Sequence, residues 1–286
     1  GGIYDIKEEK REEAKEKGFF VYETEEAMLA DPDIDVVLIA TPNDCHKPIA
    51  IRAMHAGKNV ISEKPVTLSS ADLLEMENAA KETGKLLTVH QNRRWDDDFL
   101  IIKKLVEEQK LGHVFRIESR VHGSRGIPGD WRKEKVHGGG MVLDWGVHLL
   151  DQILYMYGDR KIETVYASLT NVTNQEVDDG FTAILTFEGG TEVLVEVGTN
   201  NYISLPRWYV LGEDGTAVIR DWQLNGEIIR KTGRTEETVV PVKTAAGLTK
   251  TMAPRREDTI VKEDLPKVSG DIADFHRNVV AVIRDG

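Results

Sequence analysis

Short apolar runs alternate with longer amphipathic stretches through the first 92 positions, and then the rhythm changes. The runs at 2–6, 19–22, 35–40, 59–62 and 86–91 have the length and β-branched content of strands. Between them, 7–17, 47–56 and the stretch from Ser69 or Ser70 to Thr83 have helical spacing, and Gly57 and Gly84 stand where the latter two helices should stop. Strand followed by helix, repeated, predicts parallel βαβ units, whose strand carboxyl ends gather along one edge where open α/β sheets bind ligands. The 7–17 helix is charged nearly all round, with pairs such as Glu13 and Lys17, and reads as a solvated face.

Beyond Trp95 the pattern gives a helix to about 109, a strand at 114–122, and a helix from about 140 to 157. Close-spaced strands follow at 162–170, 181–187, 191–198, 207–211 and 217–220. Turn signals Glu188-Gly189-Gly190 and Glu213-Asp214-Gly215 between them predict an antiparallel sheet. The stretch 242–268 is polar and poorly periodic, so a long loop or lid is expected there, before a last helix at 271–283. The expected fold class is α/β, with a dinucleotide-binding type of domain over 1–93 and an α+β domain over 94–286.

Composition narrows the function. With 286 residues the chain can bury a full core, and its formal net charge of −12 repels phosphate backbones, which argues against a nucleic-acid partner. Apolar runs such as 36–40 fall far short of the ~20 residues of a membrane helix, so no membrane partner is expected. A single cysteine, Cys45, cannot form an intramolecular disulfide and suits a cytoplasmic location. The chain opens on Gly1-Gly2-Ile3 without Met or a signal sequence, and we expect preceding residues to be missing.

Three groups that could do chemistry fall at predicted strand ends. Asp5 could accept hydrogen bonds from a ribose 2′-OH and repel a 2′-phosphate, selecting NAD over NADP; it could equally be a turn residue. Thr41-Pro42-Asn43-Asp44-Cys45-His46 follows the most apolar strand, where its polar groups face a ligand or, with Asn43 or Asp44, cap the next helix. Glu63-Lys64-Pro65 ends the fourth strand. A lysine there is either a general acid/base or an exposed turn residue fixed by Pro65.

In the second domain, Gly138-Gly139-Gly140 leads into a helix bearing Asp144 and His148, four apart and hence on one face, with Asp151 a turn further. A carboxylate acceptor beside an imidazole suits the hydroxyls of a polyol. An intrahelical contact and a zinc site are the rivals, but Asp-x3-His lacks a third and fourth ligand of matching spacing, so no metal is expected. Three consecutive glycines cost conformational entropy that a helix start does not require. They imply a close approach of the backbone to something.

Taken together, Thr41-Pro42-Asn43 with His46, Glu63-Lys64-Pro65, and Gly138-Gly139-Gly140 with Asp144, Gly146, His148 and Asp151 resemble the Gfo/Idh/MocA oxidoreductase family over nearly the whole chain. The resemblance implies an N-terminal Rossmann domain lacking here its first strand and Gly-x-Gly-x-x-Gly turn. It also implies a C-terminal α+β domain with an open antiparallel sheet, whose free face mediates homo-oligomerisation to a dimer or tetramer. It implies NAD as cofactor and a sugar, cyclitol or related polyol as substrate, in a dehydrogenase acting on CH-OH groups. Lys64 becomes the general base, and Asp144 and His148 bind the reacting hydroxyl. Asn92, Arg93 and Trp131-Arg132 are implied near the nicotinamide or the sugar, with Thr41, Pro42, Asn43, His46, Glu63 and Asp5 on the cofactor side. Two other readings stay open: a non-catalytic or regulatory binding protein on the same fold, and NAD-assisted glycoside cleavage.

Overall fold

The computed structural model describes residues 1–234, 239–251 and 253–285. The chain forms two compact units that are not contiguous in sequence: residues 1–91, 130–139 and 273–286, and residues 92–129 and 140–272.

The first unit contains a parallel sheet of β3 (Val36–Ile39), β4 (Asn59–Ser62) and β5 (Leu87–Val89). A separate parallel pair joins β1 (Gly2–Ile3) to β2 (Phe20–Val21). Helices α1 (Glu8–Glu16), α2 (Glu25–Ala30), α3 (His46–His55) and α4 (Ser70–Thr83) connect the strands. Each boundary has a local cause. Thr24 Oγ1 accepts from Ala27 N at 3.1 Å to start α2, and Ser69 Oγ accepts from Asp72 N at 3.1 Å to start α4. Gly84, at φ 65°, ends α4 in the left-handed conformation. On α1, Lys17 meets Glu13 at 2.7 Å on an exposed surface. The core sets Val37, Ile39 and Val60 of the sheet against Ala50, Ala53 and Met54 of α3 and Met76 and Ala79 of α4. The final helix of this unit, α7 (Ala273–Asp285), buries Phe275 and Val279.

The second unit is built on eight strands in the order β15-β12-β11-β10-β6-β9-β8-β7. In chain order they are β6 (Val114–His122), β7 (Ile162–Thr170), β8 (Gly180–Phe187), β9 (Glu192–Gly198), β10 (Trp208–Gly212), β11 (Gly215–Ile219), β12 (Gly226–Lys231) and β15 (Ile260–Glu263). Every neighbouring pair is antiparallel except β6 and β9, which are parallel. Alternate residues such as Phe181, Ala183, Leu185 and Phe187 of β8 and Val193, Val195 and Val197 of β9 point into one core with α5 (Asp97–Glu107) and α6 (Val147–Tyr157).

The expected loop at 242–268 needs correction. It holds a hairpin of β13 (Val242–Thr244) and β14 (Gly247–Thr249) and then β15, which pairs with β12 at the sheet edge. Such edge strands are held by main-chain hydrogen bonds with little side-chain burial, so they leave no apolar alternation to read. Met252, inside that stretch, lies outside the described residues. Among the described residues, no helix is long and apolar enough to cross a membrane.

Candidate active site

In the first unit the parallel ladder runs one step past the strands. Glu63 N donates to Ile39 O at 2.9 Å and His90 N to Ser62 O at 2.8 Å, so the residues after β3, β4 and β5 emerge together at the carboxyl edge. Thr41 and Pro42 lead into a tight turn, Asn43–Cys45, that feeds α3. Asn43 is buried and its Nδ2 donates to Gly138 O at 2.9 Å. His46 is fully buried, with Nδ1 2.8 Å from Pro65 O and Nε2 3.0 Å from Thr41 O. It ties the loop after β3 to the loop after β4, and both ring nitrogens face main-chain carbonyls.

The Lys64–Pro65 peptide is cis. Beside it, Glu63 Oε1 meets His90 Nδ1 at 2.8 Å and Oε2 receives Lys64 N at 3.3 Å. The His90 ring lies 4.9 Å from Phe275, and its Nε2 is buried with no partner among the described residues. Asp5 Oδ1 accepts from Lys7 N at 2.8 Å, while Arg11 donates to Asp5 O at 2.7 Å, so Oδ1 fills the turn role and Oδ2 has no hydrogen-bond partner among the described residues. Trp131 and Arg132 fall in the segment that packs with this unit. Asp130 starts their turn by accepting from Arg132 N at 2.9 Å, and the Arg132 guanidinium lies 4.6 Å from the centre of the Trp131 ring.

The glycine run is explained by the protein's own packing. Gly138, at φ 70°, would press a Cβ to 2.2 Å from Leu68, and Gly139 would press one to 2.3 Å from Arg132 O. In the second unit Gly140, at φ 103°, would press one to 2.3 Å from Asp178 Oδ1. Asp178 anchors the two residues after Gly140: its Oδ2 accepts from Val142 N at 2.9 Å and its main-chain O from Met141 N at 3.1 Å. Burial pushes this carboxyl above its ordinary value, and main-chain N–H donors, that of Val142 first, only partly offset it.

The predicted single helix from about 140 is in fact a π-helical segment, Val142–Gly146, running into α6. π-Helical turns widen the backbone and recur at functional positions. Asp144 sits on this segment and lines a cleft of about 520 Å³ together with Arg93, His122, Trp145 and Trp222. Arg93 stacks 4.0 Å over Trp145, pairs with Asp96 at 2.9 Å, and keeps its Nε buried without a partner among the described residues. His148, a turn after Asp144, is buried edge-on to Trp145 at 6.1 Å and is not part of the cleft lining. Asp151 is committed to Arg94 through two contacts of 2.7 and 2.6 Å. Asn92 Oδ1, at the start of this unit, is likewise buried without a partner among the described residues.

Two cleft residues had no signal in the sequence. His122 is the last residue of a strand with ordinary alternation. Leu205 N donates to its Nδ1 at 3.2 Å, so the proton sits on Nε2, which meets Glu196 at 3.1 Å. That contact, seconded by Arg120, holds the Glu196 carboxyl below its usual range. Trp222 is one aromatic in a polar turn, and its ring contacts with Trp145 at 5.9 Å and with the guanidinium groups of Arg207 at 4.7 Å and Arg93 at 5.8 Å bring it to the cleft.

Residues 1–91 match the profile described as "Oxidoreductase family, NAD-binding Rossmann fold", and residues 99–218 match the GFO/IDH/MocA C-terminal domain. A crystal structure of an NAD-binding protein from Listeria innocua is 52% identical, with a TM-score of 0.95 over 99% of this chain and 82% of that one. The chain belongs to the Gfo/Idh/MocA oxidoreductase family. As a member it is an NAD(P)-dependent oxidoreductase. Among curated Gfo/Idh/MocA relatives, scyllo-inositol 2-dehydrogenase (NADP(+)) IolW of Bacillus subtilis is 29% identical over 93% of this chain and 74% of its own length. Myo-inositol 2-dehydrogenase of Thermotoga maritima is 30% identical over 66% of this chain and 57% of its own length. The name of the first specifies NADP(+), and that of the second specifies no cofactor.

Proposed function

We propose that the protein oxidises a secondary hydroxyl of a cyclitol, sugar or related polyol with NAD. Lys64 of the first unit serves as general base, and Asp144 of the second binds the reacting hydroxyl, with His148 one turn further along the same helix and buried against Trp145. The cleft around Asp144 carries this reading. It combines a carboxylate, an imidazole and a guanidinium with two indoles, the set that receives the hydroxyls of a polyol ring on polar groups and its C–H faces on aromatic ones. The names of the two inositol dehydrogenases support the same substrate class.

The residues at the carboxyl edge fit a dinucleotide. His90 Nε2 is a buried polar atom without a partner among the described residues, and Asp5 keeps one carboxylate oxygen for a ribose. Asp5, Thr41-Pro42, Asn92 and Trp131-Arg132 would hold NAD, which when bound supplies the hydride acceptor. The Lys64 amine, in its neutral form, takes the hydroxyl proton as the C–H bond gives up its hydride, and the product is a ketone or lactone. Asp144 accepts a hydrogen bond from the substrate and fixes which carbon is oxidised. We further propose that the open face of the second unit's sheet joins copies of the chain into a homo-oligomer.

The test is NADH formation by the purified protein across a panel of inositols, sugars and sugar acids. Lys64→Ala is expected to lower kcat by roughly 10²- to 10⁴-fold with NAD binding retained. Undiminished turnover would remove Lys64 from the mechanism. NAD binding by calorimetry without turnover of any polyol would favour the ligand-binding reading instead.

A further inference from the structure

Arg93 and Trp222 line the Asp144 cleft on one side and a second hollow, of about 330 Å³, on the other. They form a partition between two cavities of the second unit. Beyond it lie Asp96, Asp97, Asp98 and Leu224, and carboxylates beside an indole are side chains of the type that receives a sugar. Those carboxylates are already engaged by the protein. Asp96 Oδ2 pairs with Arg93 at 2.9 Å, and Asp97 Oδ1 accepts from Gly270 N at 2.7 Å. Asp98 Oδ2 lies 2.9 Å from Trp208 Nε1 and 3.0 Å from Arg207 Nε, while its Oδ1 accepts from Phe99 N at 2.8 Å. A ligand in the second hollow would compete with these contacts, so the Asp144 side is the better receptor.

The partition is held from several directions. The Trp222 ring centre is 4.7 Å from the Arg207 guanidinium, 5.8 Å from that of Arg93 and 5.9 Å from the ring of Trp145. Arg207 is itself buried, and its Nη1 donates to Arg120 O at 3.0 Å. The main chain is fixed as well: Asp221 Oδ1 accepts from Gln223 N and Asn225 N, each at 3.1 Å, and Oδ2 accepts from Asn225 Nδ2 at 2.8 Å. Leu224 takes φ 64°, a left-handed conformation that a leucine keeps only where its surroundings impose it. Trp222 nevertheless remains 48% exposed. A firmly supported indole that stays half open is explained if its open part meets a ligand.

We propose that Trp222 is a specificity-determining residue: an indole wall that closes the Asp144 cleft off from the hollow beyond and so limits the substrate to a single ring. This rests on the reading of the cleft as a polyol site, and it concerns residues of the second unit alone. A cleft of about 520 Å³ is of small-ligand size, and a second ring extending from the substrate past Arg93 meets the indole. Without the indole the two cavities join, and the second ring has room.

The readout is the ratio of kcat/KM for a two-ring compound to that for its one-ring counterpart, in NADH assays with galactinol against myo-inositol and cellobiose against D-glucose. Trp222→Ala is expected to raise that ratio about tenfold or more. Asp221→Ala, which frees the turn but keeps the indole, should raise it less. Binding of the same four compounds is followed by saturation-transfer NMR, where the parent should bind the one-ring compounds and Trp222→Ala both kinds.

An unmoved ratio in a folded Trp222→Ala protein overturns the proposal, and so does a parent that takes two-ring compounds as readily as one-ring ones. If Trp222→Ala does not fold, Trp222→Leu and Asp221→Ala decide: a raised ratio in either supports the wall, an unmoved ratio in both refutes it. Because the NMR measurement needs no turnover, ring selectivity in a parent that oxidises no polyol, relaxed in Trp222→Ala, would leave the wall standing and sink the dehydrogenase reading alone. A parent that neither binds nor oxidises any of the four compounds overturns both.

Discussion

Asp5 shows how much rests on one side chain. One carboxylate oxygen is used to hold Lys7 N at 2.8 Å, and Lys7 and Arg11 bring positive charge to the same turn. The remaining oxygen suits a ribose hydroxyl, and the charge opposes a 2′-phosphate. Replacing it with an uncharged hydroxyl leaves the basic residues to act alone. Asp5→Ser is therefore expected to raise kcat/KM for NADP relative to NAD at least about tenfold, or ~1.4 kcal/mol, in steady-state assays with both cofactors. An unchanged ratio would mean that Asp5 does not discriminate. At this scale the motif residues were readable because their types and spacing are unusual. His122 was not, since nothing along β6 distinguishes it until Leu205 N and Glu196 close on its ring.

Among the elements, the segment from Gly140 through α6 departs most from its periodicity. A helical pattern cannot tell α from π over one turn, because Val142–Gly146 holds only five residues. The start is set instead by Asp178, far along the chain, which takes the Val142 and Met141 N–H groups. Only glycine fits beside that carboxylate at φ 103°. Gly140→Ala should cost about 2 kcal/mol or more through the strained φ and the crowding of Asp178. The expected fall in Tm is roughly 5 °C, read by differential scanning calorimetry. A Tm within a degree of the parent's would show that Asp178 gives way freely. The close approach inferred from the glycine run was correct in kind, and the partner proves to be the protein itself.

At the scale of the whole molecule, the face of the large sheet opposite its core carries an apolar row. Register joins Tyr166 to Ile184, Ile184 to Leu194, Leu194 to Glu118, Glu118 to Tyr209 and Tyr209 to Val218. Tyr166 is 63% exposed, and the one charge in the row is neutralised locally: burial pushes Glu118 up, but Arg116 and Arg120 outweigh it and hold the carboxyl below its usual range. Such a row matches the proposed oligomer contact. Leu194→Glu places a second carboxylate beside Glu118 and should convert the oligomer to monomers in sedimentation or light-scattering measurements, with far-UV circular dichroism unchanged. A parent protein that is monomeric at micromolar concentration would remove this face from the proposal.

Most of the strand and helix order through β11, the stops at Gly57 and Gly84 and the family motifs are properties of local spacing, so the chain declares them without help from its fold; α2 and β12 are not among them. The periods of two and 3.6 residues and the φ that only glycine adopts act over a few positions. The assignment of 130–139 and α7 to the first unit, the edge strand β15, the His46 tie between two loops and the Glu63–His90 contact depend on groups far apart in sequence. Their partners are chosen by burial and by hydrogen-bond geometry once the sheets have formed, and no one-dimensional pattern carries that information. For Lys64, the motif named the lysine, while the tertiary contacts decided which way its acidic neighbour faces.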